Sequence, residues 1–152
     1  MISKKVNYVK ISAHVHATED EDKVLNAIYN LLPKKLIKYS KIREIFRGHF
    51  GDPIIRLEIK IENREDAQRI FEHIIRNISG FIYDEWFYER FDEKSQSFFA
   101  RLDKQSAYLG KVSPGWGDDI IHIVFKFASF PRISKDDFKE LINVIREKRA
   151  SE

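Results

Sequence analysis

The sequence has no cysteine. Disulfides and thiolate-held metal sites are thereby excluded from its fold and its chemistry. It has no apolar run near the roughly 18 residues that a membrane span needs, and no N-terminal apolar run with the make-up of a secretory signal. These absences set the expectation of a cytoplasmic chain with no membrane partner. No P-loop, GxSxG elbow, HExxH zinc helix or dinucleotide fingerprint occurs. Scattered Ser, His and Asp can be assembled into a triad from any chain this long, so they carry no weight. The expectation is a non-enzymatic protein without a cofactor. Linkers, internal repeats and low-complexity segments are also absent, and residues 1–152 read as a single domain. A strong charge of one sign is missing as well. The 27 Lys and Arg stand against 24 Asp and Glu, a net +3, which permits a nucleic-acid partner without requiring one.

What is present points to a folded core: 43% hydrophobic residues and 12 Phe. Charged residues make up 34%, above the roughly 25% of ordinary soluble domains. That excess would suit a heat-adapted protein.

The stretch Val9 to Leu32 organises the chain. Val9, Ile11, Ala13 and Val15 alternate with Lys10, Ser12, His14 and His16, as in a strand with one apolar face. Thr18 and Glu21 have capping-box spacing, and Val24, Ile28 and Leu31 follow at helical spacing. Lys41 to Gly48 reads as a second strand, with Ile42 and Phe46 on one face and Lys41, Arg43, Ile45 and Arg47 on the other. Gly48 to Pro53 is a loop, and Ile54 to Glu62 a third strand with Ile55, Leu57, Ile59 and Ile61 facing in. Asn63 caps a helix striped by Ala67, Ile70, Phe71, Ile74 and Ile78. Phe81 to Phe91 is read as a short helix and Asp92 to Gln96 as a polar turn. Ser97 to Leu102 is strand four. Asp103 to Leu109 makes one or two helical turns, Lys111 to Asp118 a loop, and Asp119 to Ala128 strand five. Ser134 and Asp137 form a capping box for a last helix with Phe138, Leu141, Ile142 and Ile145 on its apolar side. The expected fold is α+β: a mostly antiparallel five-stranded sheet with helices packed on one face and the other face at least partly solvated.

That solvated face is expected to present Tyr8, Lys10, His14, Arg43, Arg47, Arg56, Lys60, His122 and Lys126. Phosphates are held by fixed cations, and unpaired bases by aromatic or guanidinium planes. The bland alternative is a solvated face whose cations pair with Glu58 and Glu62. At the start of the helical turn after strand four, Arg101, Lys104 and Gln105 would sit beside backbone amides in a phosphate site, with Asp103 as the cap. His49 stands beside Arg47 in the glycine loop, in reach of a phosphate or base. His14 and His16 share a strand face, with His122 as the third candidate beside them, but no carboxylate has metal-motif spacing to them and no metal is assigned.

Three stretches in order carry a family resemblance: Ala13 to Val24 (AHVHATEDEDKV), Gly48 to Ile54 (GHFGDPI) and Arg101 to Gly110 (RLDKQSAYLG). Together they resemble the archaeal predicted RNA-binding proteins described as exosome-associated subunits, over roughly Val6 to Phe127. The resemblance implies an α+β fold like that of the ribosomal large-subunit protein that binds 5S RNA. It implies RNA binding without a reaction, and RNA-processing subunits as partners. The resulting expectation gives phosphates to Lys10, Arg43, Arg47, Arg56, Lys60, Arg101, Lys104 and Lys111, with Gln105 beside them, and bases to Tyr8, His14 and His49. The run Phe81 to Phe91 is more aromatic than the family pattern. It supplies the alternative expectation, a protein-interaction or homodimeric subunit with its contact around Trp86, Phe87 and Trp116.

Overall fold

The structure, a computed structural model, describes residues 6–36, 41–48, 50–78 and 84–150. In chain order these form β1 (Val6–Val15), α1 (Glu21–Asn30), a short 3-10 turn (Lys34–Leu36), β2 (Ile42–Arg47), β3 (Pro53–Ile61), α2 (Arg64–Asn77), α3 (Asp84–Glu89), β4 (Phe91–Asp92), β5 (Ser97–Asp103), α4 (Lys104–Tyr108), β6 (Ile120–Phe127) and α5 (Lys135–Ala150). The sheet has six strands in the order β2-β3-β1-β6-β5-β4. All its pairings are antiparallel. The fold is α+β, as expected. The sixth strand is β4, whose Phe91 and Asp92 pair with Phe98 and Ser97. Two residues are too few to show a period, so the sequence divides them between a helix and a turn.

Helix starts follow local chemistry. Asn63 Oδ1 accepts from the Asp66 amide at 3.0 Å. The Ser134–Asp137 box is reciprocal: the Asp137 amide donates to Ser134 Oγ at 3.1 Å, and the Ser134 amide to Asp137 Oδ2 at 3.1 Å. At α1 the expected Thr18–Glu21 box does not form. Asp20 is the cap and accepts from the Asp22 amide at 2.9 Å. Glu19 instead folds back, its carboxylate accepting from the His16 amide at 3.0 Å. With acids at four successive positions from Glu19 to Asp22, spacing alone cannot say which one caps.

One sheet face is closed by helices. Val9, Ile11, Ala13 and Val15 of β1 lie opposite Ile61, Ile59, Leu57 and Ile55 of β3. Across the other edge, Val9, Ile11 and Ala13 meet Phe125, Ile123 and Ile121 of β6. Phe71 of α2 sits at the centre of an aromatic cluster, with ring centroids 5.2 Å from both Phe125 and Phe127 and 6.4 Å from Phe98 and Phe138. Phe138 of α5 stacks on Phe91 of β4 at 4.4 Å and 7°. Aromatic pairs of this kind add about 0.5–1.5 kcal/mol each beyond the area they bury. Half of the phenylalanines, Phe71, Phe91, Phe98, Phe125, Phe127 and Phe138, join α2 and α5 to β4, β5 and β6.

Candidate nucleic-acid interface

Side chains alternate along a strand, and directly paired residues share a face. The register therefore lays out the uncovered face row by row. Glu44, Arg56 and His14 form one row. Ile42, Glu58, Ser12, His122 and Arg101 form the next. Lys60, Lys10, Val124 and Phe99 follow, then Tyr8, Lys126 and Ser97. Neighbours in a row stand about 5 Å apart. Arg56, His14 and His122 are thus brought together on three adjoining strands, with Arg101 of β5 at the rim. Their coupling is visible in the histidines. Burial, and then the nearby charges of Arg56, His16 and Lys104, push His14 below its usual value. Burial, and then Arg101, His14 and Arg56, do the same to His122.

The acids on this face are only partly matched to the cations. Arg56 Nη2 is 3.0 Å from Glu58 Oε1, and Arg56 Nη1 is 3.9 Å from Glu44. Lys60 Nζ is 3.0 Å from Glu62, and Lys60 and Lys10 lie 5.2 Å and 5.7 Å from the Tyr8 ring centroid. An exposed pair such as Lys60–Glu62 holds only about 0–1 kcal/mol, so a phosphate competes with it readily. Arg101 Nη2 donates to the Gly117 carbonyl at 2.9 Å. That bond occupies one donor of a guanidinium fork that carries several.

Several expected site residues lie off this face. Arg43 pairs in register with Leu57, and Arg47 with Pro53, so both belong to the helix side of β2. Ile42, Glu44 and Phe46 share the face with Arg56 instead. The expectation fails because β2 is an edge strand with every residue exposed, and neither face of it is sorted by burial. Arg43 Nε is held 2.5 Å from Glu21 of α1, with Lys41 Nζ at 3.4 Å from the same carboxylate. Lys111 is exposed beside Pro33, Lys34 and Asn77, on the helix side. Gln105 is exposed, with Nε2 bonded to Asp119 Oδ2 at 2.8 Å. His49 lies outside the described residues.

Lys104 departs most from expectation. It is fully buried, and its ammonium donates to the His14 carbonyl at 2.9 Å and to Glu19 Oε1 at 3.1 Å, with Asp119 Oδ1 at 3.3 Å. Tyr108 donates its hydroxyl to Glu19 Oε2 at 3.0 Å. Burial works against the Glu19 carboxylate, but the His16 amide, the Lys104 ammonium and the Tyr108 hydroxyl together hold it below its usual value. Burial, and then its bond to Glu19, push the Tyr108 hydroxyl up. Asp103 caps α4 as expected, accepting from the Ser106 amide at 2.9 Å. The lysine serves as an internal tie and does not face a phosphate.

Among the described residues no three His, Asp or Glu side chains converge as a metal-ligand set. Trp86 and Phe87 are core, 9% and 2% exposed, so the expected aromatic contact surface around them is absent from that place. Trp116 is exposed. The sequence reading also missed Phe99, which stands on the open face beside Val124. The signal was present: Phe98 and Phe99 are adjacent in a strand, so only one of them can enter the core.

Comparison with known proteins places this geometry in a family. Residues 8–127 match the model of a protein family described as RNA binding. The chain belongs to this family. A protein of Pyrococcus abyssi named as an RNA-binding protein is 33% identical over 131 residues, 81% of this chain and 82% of its own length. An uncharacterized protein of Methanocaldococcus jannaschii is 38% identical over 147 residues, 90% of this chain and 95% of that protein. A crystal structure of a protein from Archaeoglobus fulgidus superposes with a TM-score of 0.74 at 26% identity, covering 93% of this chain and 99% of that one. The family match spans β1 to β6 and so takes in every strand of the open face.

Proposed function

We propose that the open sheet face binds RNA through its phosphates, with Arg56, Arg101, His14 and His122 as the central contact and Lys10 and Lys60 extending it. The observation that carries this reading is the convergence of the arginines and lysines with two histidines on a face that no helix among the described residues covers, in a chain of the RNA-binding family. Cations that neutralise phosphates displace the counterions condensed on the RNA, which makes binding salt-dependent. The test is fluorescence anisotropy of the purified protein with labelled RNA over a salt series. Binding that weakens linearly in log-log form supports the reading, and absence of binding at low salt contradicts it.

The finer role, an accessory of RNA processing or degradation, is supported by the resemblance to exosome-associated subunits, and a cytoplasmic setting by the absence of a signal-like or membrane-spanning run in residues 1–152. The likeness to the ribosomal 5S-binding fold has the same support. No reaction is proposed. The alternative of a homodimeric or interaction subunit retains Trp116 as its exposed aromatic.

A further inference from the structure

Besides Tyr8 and Phe46, two further aromatic side chains at this face are left out of the core. Phe99 is 43% exposed in the middle of β5. It shares its row with Lys10 and Val124, and lies two residues from Arg101 on the same side of the strand. A lone exposed apolar residue is ordinary; an aromatic ring set level with a row of cations is a more specific arrangement. Trp116 is 72% exposed and reaches the same rim of the sheet by a loop that is fastened along its length. The Asp103 amide donates to Ser113 O at 2.8 Å, the Gly115 amide to Arg101 O at 2.9 Å, and Arg101 Nη2 to Gly117 O at 2.9 Å. Gly115 lies so close to β5 that a Cβ there would stand 2.7 Å from the Asp103 nitrogen, which only glycine tolerates. The loop backbone that carries Trp116 is therefore held beside Arg101.

Resting on the proposal that this face binds RNA, we infer that its ligand is single-stranded RNA: one unpaired base stacks on Phe99, a neighbouring base on Trp116, and the linking phosphates lie on Arg101 and the Arg56–His14–His122 cluster. In a duplex the base planes are covered by one another, and A-form RNA is recognised by shape, phosphates and 2′-hydroxyls. An exposed aromatic ring on the sheet face has no base plane to meet in such a helix. It does offer a surface to a splayed base, and because every base has a π-face such contacts tolerate many sequences.

The test compares a short labelled oligouridine, an abasic strand of the same length and a blunt duplex, each titrated with the parent protein and with Phe99→Ala, Phe99→Tyr and Trp116→Ala. The parent should prefer the oligouridine to the duplex by tenfold or more. Phe99→Ala should weaken oligouridine binding by about 5- to 160-fold, the range for one stacked base, yet bind the abasic strand as the parent does. Phe99→Tyr should keep the parent affinity. Phe99 is exposed, so its variants should unfold at the parent midpoint; Trp116→Ala, in a loop, gives a second reading of the same effect. Equal or tighter binding of the duplex, or unchanged oligouridine binding by both alanine variants, overturns the single-strand inference while leaving RNA binding in place. Absence of salt-dependent binding to any of the three ligands overturns the underlying RNA reading itself.

Discussion

Lys104 Nζ stands 3.1 Å from Glu19 Oε1, with no part of the lysine side chain exposed. The pair joins the corner between β1 and α1 to the first turn of α4, across 85 positions of sequence. Two of the three stretches that carried the family resemblance therefore meet at one ion pair. Removing one partner of such a pair leaves a charge with poor solvation. Lys104→Met is expected to cost about 3 kcal/mol, since breaking buried pairs typically costs about 3–5 and Glu19 keeps some solvent access. Urea unfolding measures it. A variant as stable as the parent would mean the tie contributes nothing net.

The same network sets a limit on acid stability. The Glu19 carboxyl is held below its ordinary 4.5 in the fold. A carboxylate whose folded value is lowered contributes stability that is complete above the unfolded value and is lost as pH falls through the folded one. Thermal melts of the parent should drop in midpoint below about pH 4.5. Glu19→Gln should be less stable at neutral pH but show a shallower drop on acidification. Parallel curves for the two proteins would assign the acid limb to other carboxylates.

RNA affinity should rise as pH falls. His14 and His122 both sit below their ordinary 6.5, from burial first and then from the cations around them. For His14 these are Arg56, His16 and Lys104, and for His122 they are Arg101, His14 and Arg56. The acids of the same rows are Glu44 on the His14 side and Glu58 on the His122 side. Both rings are thus mainly neutral at pH 7 when free. A docked phosphate favours the charged ring and raises its value, so binding takes up protons. Affinity should strengthen as pH is lowered from neutral through the histidine range, by at most about tenfold per pH unit for each histidine. His14→Ala with His122→Ala should flatten the profile. A flat parent profile would remove both rings from the contact.

Trp86 is expected to act in the core. Its ring packs edge-on to Phe87 at 5.1 Å and to Phe98 at 6.0 Å, under the Arg90 guanidinium at 4.6 Å. Trp86→Ala should cost about 3–5 kcal/mol, in the range for large aromatic truncations. Its sedimentation mass should equal the parent's. A folded variant of smaller mass would restore Trp86 to a subunit contact.

The limits of the sequence reading have physical causes. β1 from Val9, β3, and β6 from Ile121 were legible because burial sorts their two faces, leaving the buried apolar residues of each at one parity. β2 was not, because Ile42, Ile45 and Phe46 are all exposed and occupy both parities. The inverted assignment of its face carried Arg43 and Arg47 with it. Lys104 was misplaced for a different reason. A cation at a strand end looks the same in sequence whether its tip meets solvent or turns inward to a carboxylate 85 positions away. Phe99 was missed although the doublet with Phe98 announces one outward ring, since no residue beyond the strand itself marks which way it faces.

The most direct measurement sets Arg56→Ala with Arg101→Ala against Arg43→Ala with Arg47→Ala and reads the salt dependence of RNA binding for each pair. Each phosphate that a substitution leaves without its cation should lower the log-log slope by about 0.7 to 0.9. The expected result is a slope reduced by roughly 1.4 to 1.8 for the open-face pair, corresponding to two phosphates, with the helix-side pair keeping the parent slope. The opposite result, an unchanged slope for Arg56 and Arg101 with a reduced one for Arg43 and Arg47, would contradict the assignment of the RNA to the open sheet face.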